Sequence, residues 1–290
     1  MRFNRIPSIF KPLKVMVKKA LCVGINRFRN YPSATLSGCV NDAKDMKNLL
    51  TGYFGFSRNS VATLTDSKAT KARIIAKLRT MVDGAVSGKY DYLVFSFSSH
   101  GTQVPDADGD EPDMADEAFC PYDLAWDGNR WHPDHIITDD ELKTLFSSIP
   151  EHVTLEVFLD TCHSGTGIRA IDLLIERKPR YLPPPSLQAY LQIESLKPRG
   201  LGALLQRESP LRHILWSGCK DDQTSADALI EGGWHGAFTY FLCREIRSSD
   251  NSLTRLQVLT KIREGLKSGR YTQIPQLECN DARKSFVPGA

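Results

Sequence analysis

Tyr92-Leu93-Val94-Phe95-Ser96-Phe97-Ser98-Ser99-His100-Gly101 starts as an apolar run and closes on small, polar and reactive residues. The run predicts a strand, and the residues after it predict a loop at that strand's carboxyl end. Leu155-Glu156-Val157-Phe158-Leu159-Asp160-Thr161-Cys162-His163-Ser164-Gly165 has the same form further along the chain. Working outward, Ala20 to Ile25, Val61 to Leu64 and His213 to Ser217 read as further strands, and Ile274 to Leu277 as an edge strand that tolerates Pro275. Helical spacing predicts helices from Asp42 to about Tyr53 with Asn41 as cap, from Thr70 to Val86, from Asp139 to Phe146, from Gly236 to Ile246 and from Leu253 to Leu266. Strands alternating with helices imply right-handed crossovers and a mainly parallel sheet with helices on both faces. The fold class is α/β.

In such a sheet the carboxyl ends of the strands share one edge, where open α/β folds form their ligand crevice. His100 and Cys162 therefore face one crevice despite their separation in the chain. A free thiol is only a few per cent thiolate at neutral pH, and a neighbouring imidazole acts as its general base and later protonates the leaving amine. The Cys162 amide and the glycines Gly101 and Gly165 offer backbone N–H groups to an oxyanion. His163 is the rival base, but adjacent strand residues project in opposite directions, so it points away from the thiol of Cys162. Each residue has a plainer use: a buried cysteine at a strand end, and an unrelated loop histidine.

Composition excludes several classes. Of 290 residues, 41% are hydrophobic and 24% charged, which suits a globular chain with a full core. A net charge of +3 is too small to argue for nucleic acid. No apolar run reaches the roughly 18 residues of a membrane span. Arg2, Arg5, Lys11, Lys14, Lys18 and Lys19 make the N-terminus basic, either as a disordered tail or as a weak attachment to acidic lipid, and Met16 is an alternative start. Seven cysteines with no secretory signal and no CxxC pair argue against disulfides and structural zinc and for a reducing, cytoplasmic setting. Residues 166 to 211 are rich in proline and basic side chains, as a linker or functional loop would be.

The ordered motifs His100-Gly101 and Asp160-Thr161-Cys162-His163-Ser164-Gly165, each after a strand, resemble those of the metacaspase branch of the caspase-like peptidases, most nearly its bacterial members, the orthocaspases. Cys22-Val23-Gly24-Ile25-Asn26, Leu36 to Ala43, Gly101 to Asp106 and Trp216-Ser217-Gly218-Cys219 extend the resemblance over roughly residues 18 to 280. The QAC[RQG]G motif of true caspases is absent.

The resemblance implies a caspase-like (caspase–haemoglobinase) fold, with a mainly parallel six-stranded sheet flanked by helices. One such domain would comprise a basic tail over 1–17, a p20-like part over 18–168, a Pro-rich linker over 169–211 and a p10-like part over 212–290. It implies a cysteine endopeptidase with His100 and Cys162 as its dyad and an oxyanion site at Gly101 and Cys162. Cleavage would follow Arg or Lys, in a pocket carrying the carboxylates Asp42 and Asp160 with Cys39 and Ser98 as walls. A guanidinium or ammonium needs such acceptors. The chemistry needs no cofactor. Calcium enters as an activator through Asp116, Asp139 and Asp140, although Arg169 stands where the family has a further acid, with Asp172 three residues later. The crowded acids from Asp106 to Glu117 match an EF-hand loop only superficially. Ser99 replaces the glycine common before the histidine, which reshapes the site modestly. Arg177, Lys178 and Arg180 are candidate self-cleavage positions. The partners are protein or peptide substrates, and the chain is expected to be a monomer. The alternatives are a catalytically silent caspase-like scaffold that binds partners, and a thiol hydrolase of small molecules that leaves Asp42 and Asp160 unexplained.

Overall fold

The computed structural model describes residues 15–105, 115–162, 177–186, 213–220 and 223–290. The expected alternation is present: β1 Lys18–Gly24, α1 Cys39–Tyr53, β2 Val61–Thr65, α2 Lys71–Val86 and β3 Tyr92–Ser98 follow one another. Short strands come next, β4 Gly101–Pro105, β5 Ala115–Phe119, β6 Trp126–Asp127, β7 Arg130–Trp131 and β8 Ile137–Thr138, then α3 Asp139–Ser147 and β9 Thr154–Asp160. The remainder holds β10 Arg177–Pro179, β11 Ile214–Ser217, β12 Ala226–Ile230, β13 Gly233–Gly236, α4 Ala237–Ser248, α5 Arg255–Ser268, β14 Gln276–Glu278 and α6 Asp281–Lys284.

The central sheet has six strands in the order β14-β11-β9-β3-β1-β2. All its pairings are parallel except β11 with β14 at one edge. Alternating side chains of β3 feed two cores. Leu93, Phe95 and Phe97 join α2 and α3 residues such as Ile74, Leu78 and Phe146 on one face. Tyr92 and Val94 join Met46 of α1, Phe238 of α4 and Ile262 of α5 on the other. Period-two strands sandwiched between amphipathic helices bury both sheet faces, which explains the nearly continuous apolar runs. Glu156 in β9 breaks that pattern while fully buried; its carboxylate accepts from Arg255 Nε at 2.9 Å and Trp216 Nε1 at 2.9 Å and is bonded by the Tyr92 hydroxyl. A buried charge is tolerated when it is paired and its oxygens are occupied in this way.

Register aligns the carboxyl ends: Gly24 lies beside Ser98, and Ser98 beside Asp160. His100 and Cys162 each follow two residues beyond that line.

Three expectations change. α1 begins at Cys39, three residues before Asp42, with Gly38 as its cap. Asn41 is not the cap because its side-chain amide donates to the Trp234 carbonyl at 2.9 Å. Lys18 and Lys19 belong to β1, and the Lys18 ammonium donates to the carbonyls of Phe54 and Gly289, both at 2.7 Å. The proline-tolerant edge strand forms one residue beyond Pro275, as β14.

Candidate active site

β3 and β9 deliver His100 and Cys162 to the same sheet edge, and both side chains are buried. His100 Nε2 lies 2.8 Å from the Ala34 carbonyl oxygen. A carbonyl only accepts, so Nε2 carries the hydrogen and Nδ1 is left as the basic nitrogen. Among the described residues Nδ1 is buried with no hydrogen-bond partner, and the ring lies 5.3 Å from that of Phe28. Burial lowers the imidazole to about 4, against the Ala34 carbonyl, which favours the charged form. At neutral pH the ring is therefore an uncharged base.

The Cys162 sulfur is turned towards β12. It accepts the Ser225 N–H, and the thiol donates to the Ser225 carbonyl at 3.4 Å. Among the described residues no hydrogen bond joins it to His100. Cys219 sits beside it: hydrogen bonding to Cys162 and then burial push the Cys219 thiol well up, while its sulfur lies 3.6 Å from the Thr161 carbonyl.

The gap between these two groups is filled by the chain itself. Arg180 follows directly on β10, which pairs antiparallel with β12. Its amide donates to the Ser225 carbonyl at 3.1 Å. Its carbonyl oxygen accepts from the amide of Gly101 at 2.9 Å and that of Cys162 at 3.3 Å. Beyond it, the Leu182 amide donates to the Gly101 carbonyl at 2.9 Å. The segment thus lies extended across the sheet edge, hydrogen-bonded before and after Arg180.

The Arg180 side chain is fully buried and runs down between the strand ends. Its guanidinium reaches Asp42 Oδ2 at 2.7 Å, Asp227 Oδ1 at 2.9 Å, Asp160 Oδ1 at 3.2 Å and Ser98 Oγ at 2.6 Å. Each carboxylate has further donors. Asp42 accepts from Ser98 Oγ at 2.6 Å and Gly236 N at 2.9 Å; Asp160 accepts from Ser225 Oγ at 2.5 Å and Thr239 Oγ1 at 2.7 Å. Asp227 accepts from the amides of Ser37 and Gly38 at 2.8 and 2.9 Å. Charge-assisted bonds of this kind hold buried carboxylates ionised. Burial and then neighbouring Asp160 nevertheless hold the Asp42 carboxyl up, at about 6, against Arg180. The same three acids hold Arg180 well above its ordinary range despite its burial. Cys39 is a wall of this space, its thiol pushed well up by burial, against Arg180.

Comparisons with known proteins give the family. A family model described as the caspase domain matches residues 17–287. The chain is 34% identical to metacaspase-1A of Aspergillus niger, over 91% of its own length and 70% of that protein's. It is 35% identical to metacaspase-1 of Emericella nidulans, over 90% and 69%. The chain belongs to the metacaspases. It is accordingly a caspase-like cysteine-type endopeptidase. A solved protein of Geobacter sulfurreducens matches 94% of the chain and 98% of itself with a TM-score of 0.63 and 25% identity. Caspase-1 of Spodoptera frugiperda, at 12% identity, covers 91% of the chain and 88% of itself with a TM-score of 0.55 and shares the fold.

The metacaspase structure brings together the four pocket residues read from the sequence, Cys39, Asp42, Ser98 and Asp160, and adds three that reading missed. Asp227 completes the ring of carboxylates. Ser225 holds Cys162, Arg180 and Asp160, and the Ala34 carbonyl sets the His100 tautomer. Asp227 had a local signal: Ala226 to Gly236 is a hairpin whose two-residue turn, Glu231-Gly232, has φ of 50° and 83°. Of the self-cleavage candidates, Arg180 lies in the acidic pocket, while Arg177 and Lys178 lie on β10.

The expected calcium residues lie on two elements, β5 and α3, and β5 pairs with β8 just before α3 through Ala118 and Thr138. Asp139 and Asp140 open α3, and Asp140 pairs with Lys143 at 3.3 Å. Asp116 lies on β5 opposite Val104. No three His, Cys, Asp or Glu side chains group as a metal site among the described residues. His163, Gly165, Arg169, Asp172 and the acids Asp106 to Asp113 lie outside the described residues. Among those described, no helix is long and apolar enough to cross a membrane.

Proposed function

We propose that this endopeptidase cleaves after arginine or lysine by a His100/Cys162 dyad, and that its first substrate is its own Arg180–Tyr181 bond. One observation carries the proposal. Arg180 has its guanidinium among three carboxylates and its carbonyl oxygen between two amide donors, beside a cysteine and an unprotonated histidine nitrogen.

The chemistry follows from those positions. Rotation about χ1 takes the Cys162 sulfur from Ser225 to the Arg180 carbonyl carbon. His100 Nδ1 removes the thiol proton as the C–S bond forms, and the carbonyl electron pair moves onto an oxygen held by the amides of Gly101 and Cys162. The tetrahedral centre collapses, the C–N bond to Tyr181 breaks, and His100 returns the proton to the leaving amine. A water, deprotonated by His100, then hydrolyses the thioester and frees the Cys162 thiol. Asp42, Asp160 and Asp227 bind and orient, with no part in proton transfer.

The expected outcome is that purified wild-type protein yields two fragments, the first ending at Arg180 by intact mass, while Cys162→Ala stays one chain. A wild type that remains intact with and without calcium, or a break elsewhere, overturns the self-cleavage. A fluorogenic peptide ending in Arg or Lys but not Asp reads the specificity, and no turnover of any of them favours the silent scaffold. The calcium arm also tests the resemblance-based set of Asp116, Asp139 and Asp140. Seven free, buried cysteines support a reducing, cytoplasmic setting, and a monomer needs no second copy to complete this site.

A further inference from the structure

Three residues before Arg180, the resident segment makes a second arginine contact. Arg177 at the start of β10 lays its guanidinium on the Tyr271 ring, 3.8 Å from its carbon atom to the ring centroid. One terminal nitrogen donates to the Arg270 carbonyl at 2.8 Å and the other to the Gly269 carbonyl at 2.7 Å. Those carbonyls come from the turn that ends α5. Gly269 caps the helix, and Arg270 adopts φ of 58°, a left-handed conformation that turns the chain back on itself. The last carbonyls of a helix are unpaired within it and lie at the negative end of its dipole. Tyr271 is held from behind by Phe241, whose ring meets it edge-on at 6.0 Å.

We infer that the α5 C-terminal turn and Tyr271 form a subsite for an arginine side chain at the fourth position before the cut, so that favoured substrates carry two arginines spaced as Arg177 and Arg180 are. This rests on the reading that residues 177–182 lie as a substrate does. The subsite's acceptors are two adjacent carbonyls facing a planar fork, over an aromatic face. That arrangement fits a guanidinium, which donates through two nitrogens while its plane stacks, and fits a point-charge ammonium poorly. Lys178, by contrast, makes an exposed 3.3 Å contact to the Thr35 carbonyl and a distant one to the Trp234 ring at 6.0 Å.

The test is a set of fluorogenic peptides, Arg-Lys-Pro-Arg, Lys-Lys-Pro-Arg and Ala-Lys-Pro-Arg, cut by the full-length enzyme. A stacked, doubly hydrogen-bonded guanidinium predicts kcat/KM about tenfold higher for Arg than for Ala at the first position, with Lys nearer Ala. In Tyr271→Leu the Arg-to-Ala ratio falls towards one, a ratio that cancels whatever the variant costs in folding or turnover. Equal rates for the Arg and Ala peptides in wild type overturn the subsite while leaving the basic specificity standing, since both peptides are still cut. Should no peptide be cut, the proposed chemistry fails, and anisotropy titration decides the subsite without chemistry. On full-length Cys162→Ala that also carries Arg177→Ala and Arg180→Ala, the labelled Arg-Lys-Pro-Arg peptide must bind tighter than Ala-Lys-Pro-Arg; equal binding, or none, overturns it.

Discussion

Arg180 is the cation that makes the close approach of Asp42, Asp160 and Asp227 tolerable. Its removal would leave three buried carboxylates facing one another, and the proton balance of Asp42 records that tension. With the guanidinium in place the Asp42 carboxyl sits at about 6, raised by burial and by Asp160, lowered by Arg180. With the guanidinium gone and Asp160 still beside it, Asp42 is expected to titrate higher in the empty pocket. Arginine binding therefore releases a proton where the pH lies between about 6 and the empty-pocket value, and affinity weakens on acidification through that window. The KM of an Arg peptide is expected to rise as pH falls towards about 6 and to level off below it, where bound and empty pockets are both protonated. A KM flat across that range in steady-state assays would remove Asp42 from the recognition of the cation. His100 titrates at about 4 with the cleft filled, so protonation of the base lies below this window and kcat separates from KM.

At the scale of elements, the β12–β13 hairpin forms one wall of the site. Asp227 comes from its first arm and Ser225 directly precedes it, and its second arm ends at Gly236, the cap of α4. A Cβ added at Gly236 would overlap both the Asp160 carboxylate and the Arg180 guanidinium. Gly236→Ala is thus expected to lower kcat/KM for Arg peptides by about a hundredfold, since displacement of a bound group by an ångström costs that much. A melting temperature close to wild type would show that the fold is intact, and an unchanged kcat/KM would show that the pocket lies elsewhere. The hairpin also marks where the sequence stopped being legible. β3 and β9 announce themselves through unbroken apolar runs, and the parallel rule puts His100 and Cys162 at one edge. Cys39, Asp42, Ser98 and Asp160 came through motif resemblance. Asp227 did not: the Glu231-Gly232 turn signals its hairpin locally, but its role depends on a long-range pairing with β10 from the Pro-rich stretch. Asn41 misled for a related reason. A good capping residue was drawn off by the distant Trp234 carbonyl, and α1 gained three residues at its start.

At the scale of the whole molecule, one sheet edge is closed by β14, only three residues long and preceded by Pro275, whose carbonyl accepts two bonds from Arg263 at 2.9 and 2.7 Å. Short edges next to proline are poor templates for pairing with another chain. Light scattering behind gel filtration is expected to give the mass of one chain at micromolar concentration, and a dimer that loses its contact when β14 is altered would overturn this. The same molecule holds Arg180 on a segment joined by peptide bonds to Cys162 and β9 on one side and to β11 on the other. A ligand tied to its own site has an effective concentration that dilution does not touch. On the proposed reading, the first cut follows first-order kinetics, with the same half-life in a dilute sample as in a crowded one. Every other substrate must wait for that event or displace the resident strand, so latency is a clock carried by each molecule and not a count of its neighbours.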